Sequence, residues 1–227
     1  EHSADGSVVK NCTSANATIN FNYATTSANG YNLGGAIGRI MDQAEITNVT
    51  LTRPTITMKG IAKGFGGFVG YVTSKDGAST LTNCTVSDLT ATQTLSAEKH
   101  NYHWGGFAGS IDGGATLTGC SVNTIKITPD GRTYYYGALI GSTSSVDWGN
   151  KSATVTIDRC AVSNANLDPR LNRNCNQFGG IVGYLTAGSS VSDCYVSTVT
   201  SSRNGNNQNI GGLIGQIFSS SIRKPPL

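Results

Sequence analysis

The stretch Gly179-Gly180-Ile181-Val182-Gly183-Tyr184-Leu185 decides the architecture, because the chain writes it repeatedly. Gly34-Gly35-Ala36-Ile37-Gly38-Arg39-Ile40 and Gly66-Gly67-Phe68-Val69-Gly70-Tyr71-Val72 are earlier copies. Gly105-Gly106-Phe107-Ala108-Gly109-Ser110-Ile111 and Gly211-Gly212-Leu213-Ile214-Gly215-Gln216-Ile217 share the form, and Gly137-Ala138-Leu139-Ile140-Gly141-Ser142 is a degenerate member. One unit recurring in this way means a repeat architecture, in which each unit buries its apolar face only against its neighbours.

A second segment recurs between these copies. It reads Val9-Lys10-Asn11-Cys12, Ile46-Thr47-Asn48-Val49, Leu81-Thr82-Asn83-Cys84, Leu117-Thr118-Gly119-Cys120, Ile157-Asp158-Arg159-Cys160 and Val191-Ser192-Asp193-Cys194. Two positions further on, Leu51, Val86, Val122, Val162 and Val196 are apolar, and Ser14 is the exception. A third stretch closes each unit, as in Leu89-Thr90-Ala91-Thr92 and Ile125-Lys126-Ile127-Thr128, with the alternation of a strand.

The Cys column recurs at spacings of 37, 35, 36, 40 and 34 residues. A propeller blade has a similar length, but its hairpin turns should keep a fixed register. Here Asp76-Gly77, Asp112-Gly113, Asp130-Gly131 and Asn204-Gly205 fall at differing distances from the nearest Gly-Gly. The expected fold is therefore all-β: a right-handed parallel β-helix of about six three-strand coils, forming a single domain over residues 1–227 with repeats at roughly 8–217. Equivalent residues would stack ~4.8 Å apart. The Cys column and the column led by Val9 would face inward. The Gly-Gly stretch would be the first strand of each coil, with Phe68, Gly70 and Val72 inward and its glycines turning corners at φ > 0. Glu1 to Gly6 do not resemble a translation start, and Lys224 to Leu227 follow half a repeat, so a fragment of a longer chain is expected.

Composition narrows the function classes. Charged residues make up 13% of the chain, the net charge is +3, and 37% of residues are hydrophobic. That is too apolar for a disordered chain and too weakly basic for a nucleic-acid tail. No apolar run reaches the roughly 18 residues of a membrane-spanning helix.

The Gly-Gly-hydrophobic-hydrophobic-Gly pattern followed by Asn/Asp-Cys-x-Val resembles the GLUG repeat. Gly179 to Leu185 with Ser192-Asp193-Cys194-Tyr195-Val196 matches most closely, and Gly66 to Val72 with Asn83-Cys84-Thr85-Val86 follows. The resemblance implies a β-helical module of bacterial surface or secreted proteins, adhesin-like and extracellular. The family has no shared catalytic motif to carry over.

Chemistry-bearing residues are sparse. Cys-x-x-Cys metal spacing is absent, and neither a metal nor a cofactor is expected. The Cys column reads as buried free thiols, since Val49 substitutes in it, with Cys175 outside the ladder as the exposed thiol. His2, His100 and His103 sit in no nucleophile motif. Asp88, Asp112, Asp130, Asp158 and Asp193 form no pair at one register in adjacent coils, so a carbohydrate-active enzyme is the weakest reading.

The segments preceding each Gly-Gly are richer. Leu33, Phe65, Trp104, Tyr136, Phe178 and Ile210 would stack as a structural row. Just before them, Tyr31, Tyr102, His103, Tyr134 and Tyr135 would align along one edge. Lys59, Lys63, Lys99, Arg132, Arg170, Arg173 and Arg203 lie nearby. Tyr31, Tyr102, His103, Arg132, Tyr134, Tyr135, Arg170 and Arg173 are the candidate binding residues, because aromatics among basic and amide groups suit a glycan or acidic polymer. The expected function is a non-catalytic, cell-surface or secreted adhesin-like module that binds a glycan or surface protein. A purely structural spacer is the alternative, and end-to-end or lateral self-association is a further expectation.

Overall fold

A computed structural model describes residues 6–22, 31–74, 77–95, 100–144, 154–168, 175–201 and 209–218. These residues form parallel strands stacked as a β-solenoid, in four sheets. Sheet I stacks Val8–Lys10, Glu45–Thr47, Thr80–Thr82, Thr116–Thr118, Thr156–Asp158 and Ser190–Ser192. Sheet III stacks Tyr31–Gly34, Ala62–Gly66, His100–Gly105, Arg132–Gly137, Cys175–Gly179 and Asn209–Gly211. Sheet IV stacks Ile37–Met41, Val69–Thr73, Ala108–Asp112, Ile140–Ser142, Val182–Leu185 and Ile214–Ile217. Sheet II carries two strand segments per coil, such as Thr50–Thr52 and Thr55–Lys59, which fuse in Ser121–Thr128 and Ala161–Leu167. Six rungs make about five turns.

Each coil thus holds up to five strand segments where the alternation predicts three. One extra strand arises where a left-handed column splits the second repeated segment between sheets I and II, and the other because the segment before each Gly-Gly, expected as a loop, is the sheet III strand; a second left-handed column bends sheet II. Asn11, Asn48, Asn83, Gly119, Arg159 and Asp193 turn the chain from sheet I to sheet II at φ of 50 to 63°. Asn16, Arg53, Asp88, Thr124, Asn164 and Thr198 bend sheet II at φ of 35 to 57°. Asn, Asp and Gly accept this region at least cost. The turned backbone is not orphaned, since the amides of Asn11, Asn48, Asn83, Gly119 and Arg159 donate to carbonyls of the following coil. At the first corner Asn48 Nδ2 also donates to Asn11 Oδ1 at 3.1 Å.

The Gly-Gly motif is a corner, not a strand. Gly66 closes the sheet III strand, Gly67 and Phe68 turn, and Val69 opens the sheet IV strand. No glycine in the described copies of the motif has positive φ. What the motif needs is space. A Cβ on the third glycine would sit 2.5 to 2.6 Å from an amide nitrogen of the preceding coil's sheet III: Gly70 on Leu33, Gly109 on Phe65, Gly141 on Trp104, Gly183 on Tyr136 and Gly215 on Phe178. Sheet IV therefore lies against sheet III backbone to backbone. Phe68, Val69 and Val72 all join the apolar core, so the expected split of that stretch into an inner and an outer set does not hold.

The two predicted inward columns are in register. Val9, Ile46, Leu81, Leu117, Ile157 and Val191 pair successively. Cys84, Cys120 and Cys160 are fully buried free thiols, with Cys194 half-buried and Cys12 exposed. From Cys84 onward each ladder thiol donates to a carbonyl one coil back: Cys84 to Ile46, Cys120 to Leu81, Cys160 to Leu117 and Cys194 to Ile157, at 3.3 to 3.8 Å. Cys175 lies in sheet III opposite Thr133, outside this ladder.

Candidate binding face

The row preceding the glycines stacks as predicted, buried from Leu33 to Phe178 and exposed at Ile210 in the last described coil. Leu33, Phe65, Trp104, Tyr136, Phe178 and Ile210 share one register. Phe65 and Trp104 rings lie 4.7 Å apart, and Tyr136 donates from its hydroxyl to the Ile127 carbonyl at 2.9 Å. Trp104 Nε1 is buried without a hydrogen-bond partner. That costs about 1–3 kcal/mol, less than the roughly 4–6 kcal/mol its buried ring area returns.

Just upstream, sheet III is kinked. Asn101 and Trp104, three positions apart, both turn into the core. Asn101 exchanges two hydrogen bonds with Gln93 of sheet II, at 2.7 and 2.9 Å, and Gln93 also reaches the Gly60 carbonyl and the Asp130 amide. This buried amide pair satisfies both side chains and pins the kink. Tyr102 and His103 are the residues between, and the kink sends them to different places.

Tyr102 comes to the surface half-buried, as does Tyr134 one coil on. Their rings stack at 5.3 Å and 11°, and exposed His100 meets Tyr134 edge-on at 5.4 Å. Arg132, also exposed, pairs in register with His100. Lys63, half-buried, precedes Gly64, the register partner of His103, and so continues the Tyr102 row. Burial, then the neighbouring Tyr134, raises the Tyr102 hydroxyl pKa.

His103 turns the other way, into the seam between sheets III and IV. Only 4% exposed, it holds Nδ1 2.6 Å from Ser142 Oγ. Burial, reinforced by the Lys63 charge, lowers its pKa to about 3, so the ring is neutral at physiological pH. Ser142 is buried as well, so this contact packs the seam and offers no nucleophile to solvent. Tyr135 occupies the same row one coil on, against Tyr184 of sheet IV at 4.9 Å. Burial raises the pKa of both hydroxyls. Further along, Gln177 donates to Gln216 at 3.0 Å.

The predicted edge therefore resolves into parts. Tyr102, Tyr134 and Arg132 form an outer face, Tyr135 straddles it and the seam, and His103 belongs to the seam. Tyr31 is 48% exposed but pairs with Ala62 beside a register shift, offset from the tyrosine row. Lys59 ends a sheet II strand, away from this face. Arg170, Arg173, Lys99 and Arg203 lie outside the described residues. Sequence reading missed Tyr184, Tyr71 and Arg39 of sheet IV. Arg39 covers the Tyr71 ring at 5.2 Å, and the Tyr71 hydroxyl donates to Asp112 Oδ2 at 3.3 Å. The signal was present, since all three directly follow the third glycine.

Residues 174–201 match the family model of the GLUG motif. That span runs from the sheet III strand through the Gly-Gly corner, the sheet IV strand, the left-handed Asp193 and the half-buried Cys194 to the end of sheet II, one full turn of the solenoid. Among curated proteins and solved structures, none matches the chain. Among the described residues no helix is long and apolar enough to cross a membrane.

Proposed function

We propose that this GLUG-motif solenoid is a non-catalytic, adhesin-like module of a secreted or surface-anchored protein, binding a glycan or another surface polymer along sheet III. The observation that carries the reading is the stacked Tyr102–Tyr134 pair with Lys63, His100 and Arg132 beside it. Amphipathic tyrosines lose little entropy on contact, and the solenoid holds them in place before any ligand arrives. The non-catalytic reading rests on the acids, which do not pair at one register across adjacent described coils. The extracellular setting rests on the resemblance to surface proteins carrying the motif.

The structural spacer is the second reading, because stacked repeats align like residues whether or not they bind. A glycan array and a cell-adhesion assay on the wild type and the Tyr102→Ala/Tyr134→Ala variant separate the two. Binding lost in a variant with an unchanged far-UV spectrum supports the module. An array without any hit for the wild type leaves the spacer. End-to-end self-association would run through the last described coil, where Ile210, Leu213 and Ile217 are exposed, and sedimentation against concentration reads it directly.

A further inference from the structure

The described cysteines are free, so no disulfide among them ties one coil to the next. Cys84, Cys120 and Cys160 are sealed in the core, where each donates to a backbone carbonyl. On the outer side of sheet III, two phenols meet instead. Asn101 pairs with Thr133 and His103 with Tyr135, which sets Tyr102 opposite Tyr134 on neighbouring parallel strands. Strands so paired stand ~4.8 Å apart. The two side chains leave the backbone in one direction, and their rings lie 5.3 Å apart at 11°. Phenols held side by side and nearly parallel need only a small rotation to bring two ortho carbons together.

The pair belongs to a longer run. Tyr134 lies 6.4 Å from Tyr135, and Tyr135 lies 4.9 Å from Tyr184 across the seam. All four rings are half-buried and so reach solvent. An electron missing from one of them passes readily to its neighbour across such gaps. Within the run Tyr102 and Tyr134 are the nearly parallel couple, whereas Tyr135 and Tyr184 are tilted by 37° and leave from different sheets.

We infer that Tyr102 and Tyr134 form an oxidative cross-linking site, joined as dityrosine by a one-electron oxidant such as a haem peroxidase supplied with hydrogen peroxide. Each phenol gives up one electron and its hydroxyl proton, and the two phenoxyl radicals form one carbon–carbon bond between ortho positions. The two ortho hydrogens then move to the oxygens and restore both hydroxyls. The electrons and protons given up, two of each, turn one peroxide into two waters. The bond ties one coil to the next and constrains the unfolded chain as a disulfide does. This chemistry is independent of any ligand on sheet III.

The test treats the 227-residue chain, in dilute solution, with a haem peroxidase and limiting hydrogen peroxide under conditions that couple free tyrosine. Trypsin cuts after Lys99, Lys126, Arg132 and Lys151, and so places Tyr102 in residues 100–126 and Tyr134 in residues 133–151. The expected result is dityrosine fluorescence in the monomer band. The two peptides should be found joined at Tyr102 and Tyr134, lighter than their sum by two hydrogens. Tyr102→Phe and Tyr134→Phe should each lose this product, in proteins whose far-UV spectra match the wild type. Tyr195→Phe should keep it, although Tyr195 is 62% exposed, because register and not exposure selects the pair. No dityrosine, dityrosine formed only between molecules, a bond at other tyrosines, or a Tyr102→Phe variant that cross-links as the wild type does overturns the assignment.

Discussion

His103 Nδ1 and Ser142 Oγ, 39 residues apart in the chain, lie 2.6 Å from each other across the seam between sheets III and IV. The contact joins one coil to the next and does so with a neutral ring sealed from water. A protonated His103 would be a buried cation close to the Lys63 charge.

That relationship sets a pH dependence. The folded pKa of His103 is about 3, against 6.5 for the free side chain. The unfolded chain therefore binds the proton first as pH falls, and its stabilisation is complete above pH ~6.5 and drains away toward pH ~3. One such group contributes a slope of up to about 1.4 kcal/mol per pH unit in that window. Urea midpoints at pH 7, 5.5 and 4 should fall for the wild type, and His103→Asn should remove this part of the slope. Parallel curves for the two proteins would show that His103 does not titrate in this way.

The glycine column makes a sharper contrast. A Cβ at Gly109 would lie 2.5 Å from the Gly70 carbonyl oxygen and 2.6 Å from the Phe65 amide, both backbone atoms that cannot swing aside. Gly109→Ala should cost about 1–3 kcal/mol or more, because two sheets must part. At Gly212 nothing stands within 4 Å of the same atom. Gly212→Ala should be close to neutral in thermal melts, although both glycines belong to the same repeated motif.

Thiol accessibility should follow position in the ladder. Cys12 is exposed, Cys194 half-buried, and Cys84, Cys120 and Cys160 are fully buried. Site-resolved alkylation of the native protein should label Cys12 first and Cys194 slowly, and the three central thiols only after denaturation. Cys120→Val should cost less than about 1.5 kcal/mol, since Val49 already occupies that column, and Cys120→Asp far more.

The left-handed corners provide the fourth test. Asn48 has φ 54°. A β-branched residue there should lose about 1–2 kcal/mol, whereas glycine pays no such steric penalty. Asn48→Val should thus melt well below Asn48→Gly, even though valine favours the strands on either side. Equal melting temperatures would mean that the corner relaxes.

Much of this fold was legible because a solenoid writes its lateral contacts into the period of the chain. The spacing of the Cys column placed Leu81 beneath Leu117, and both are core residues in register. The row from Leu33 to Ile210 was equally readable, since an apolar residue recurs before each glycine. The binding face was only half legible. Tyr102 and Tyr134 were found as neighbours, but His103 was placed beside them when it lies in the seam. Alternation could not reveal this, because Asn101 and Trp104, like Thr133 and Tyr136 one coil on, are buried three positions apart, which breaks the period of two.

What the sequence by itself determined is the repeat, the parallel stacking and the identity of each column, because residues one period apart must meet their own kind. Only the tertiary structure decided which elements fold back on one another. The glycines of Gly179 to Leu185 and its copies turned out to mark a close approach of two backbones and not a strand or a left-handed turn. Contacts such as His103 with Ser142, or Gly109 against Phe65, depend on the angle at each corner and on the room between two sheets. Those are set by packing across the cross-section, which a pattern read along the chain does not contain.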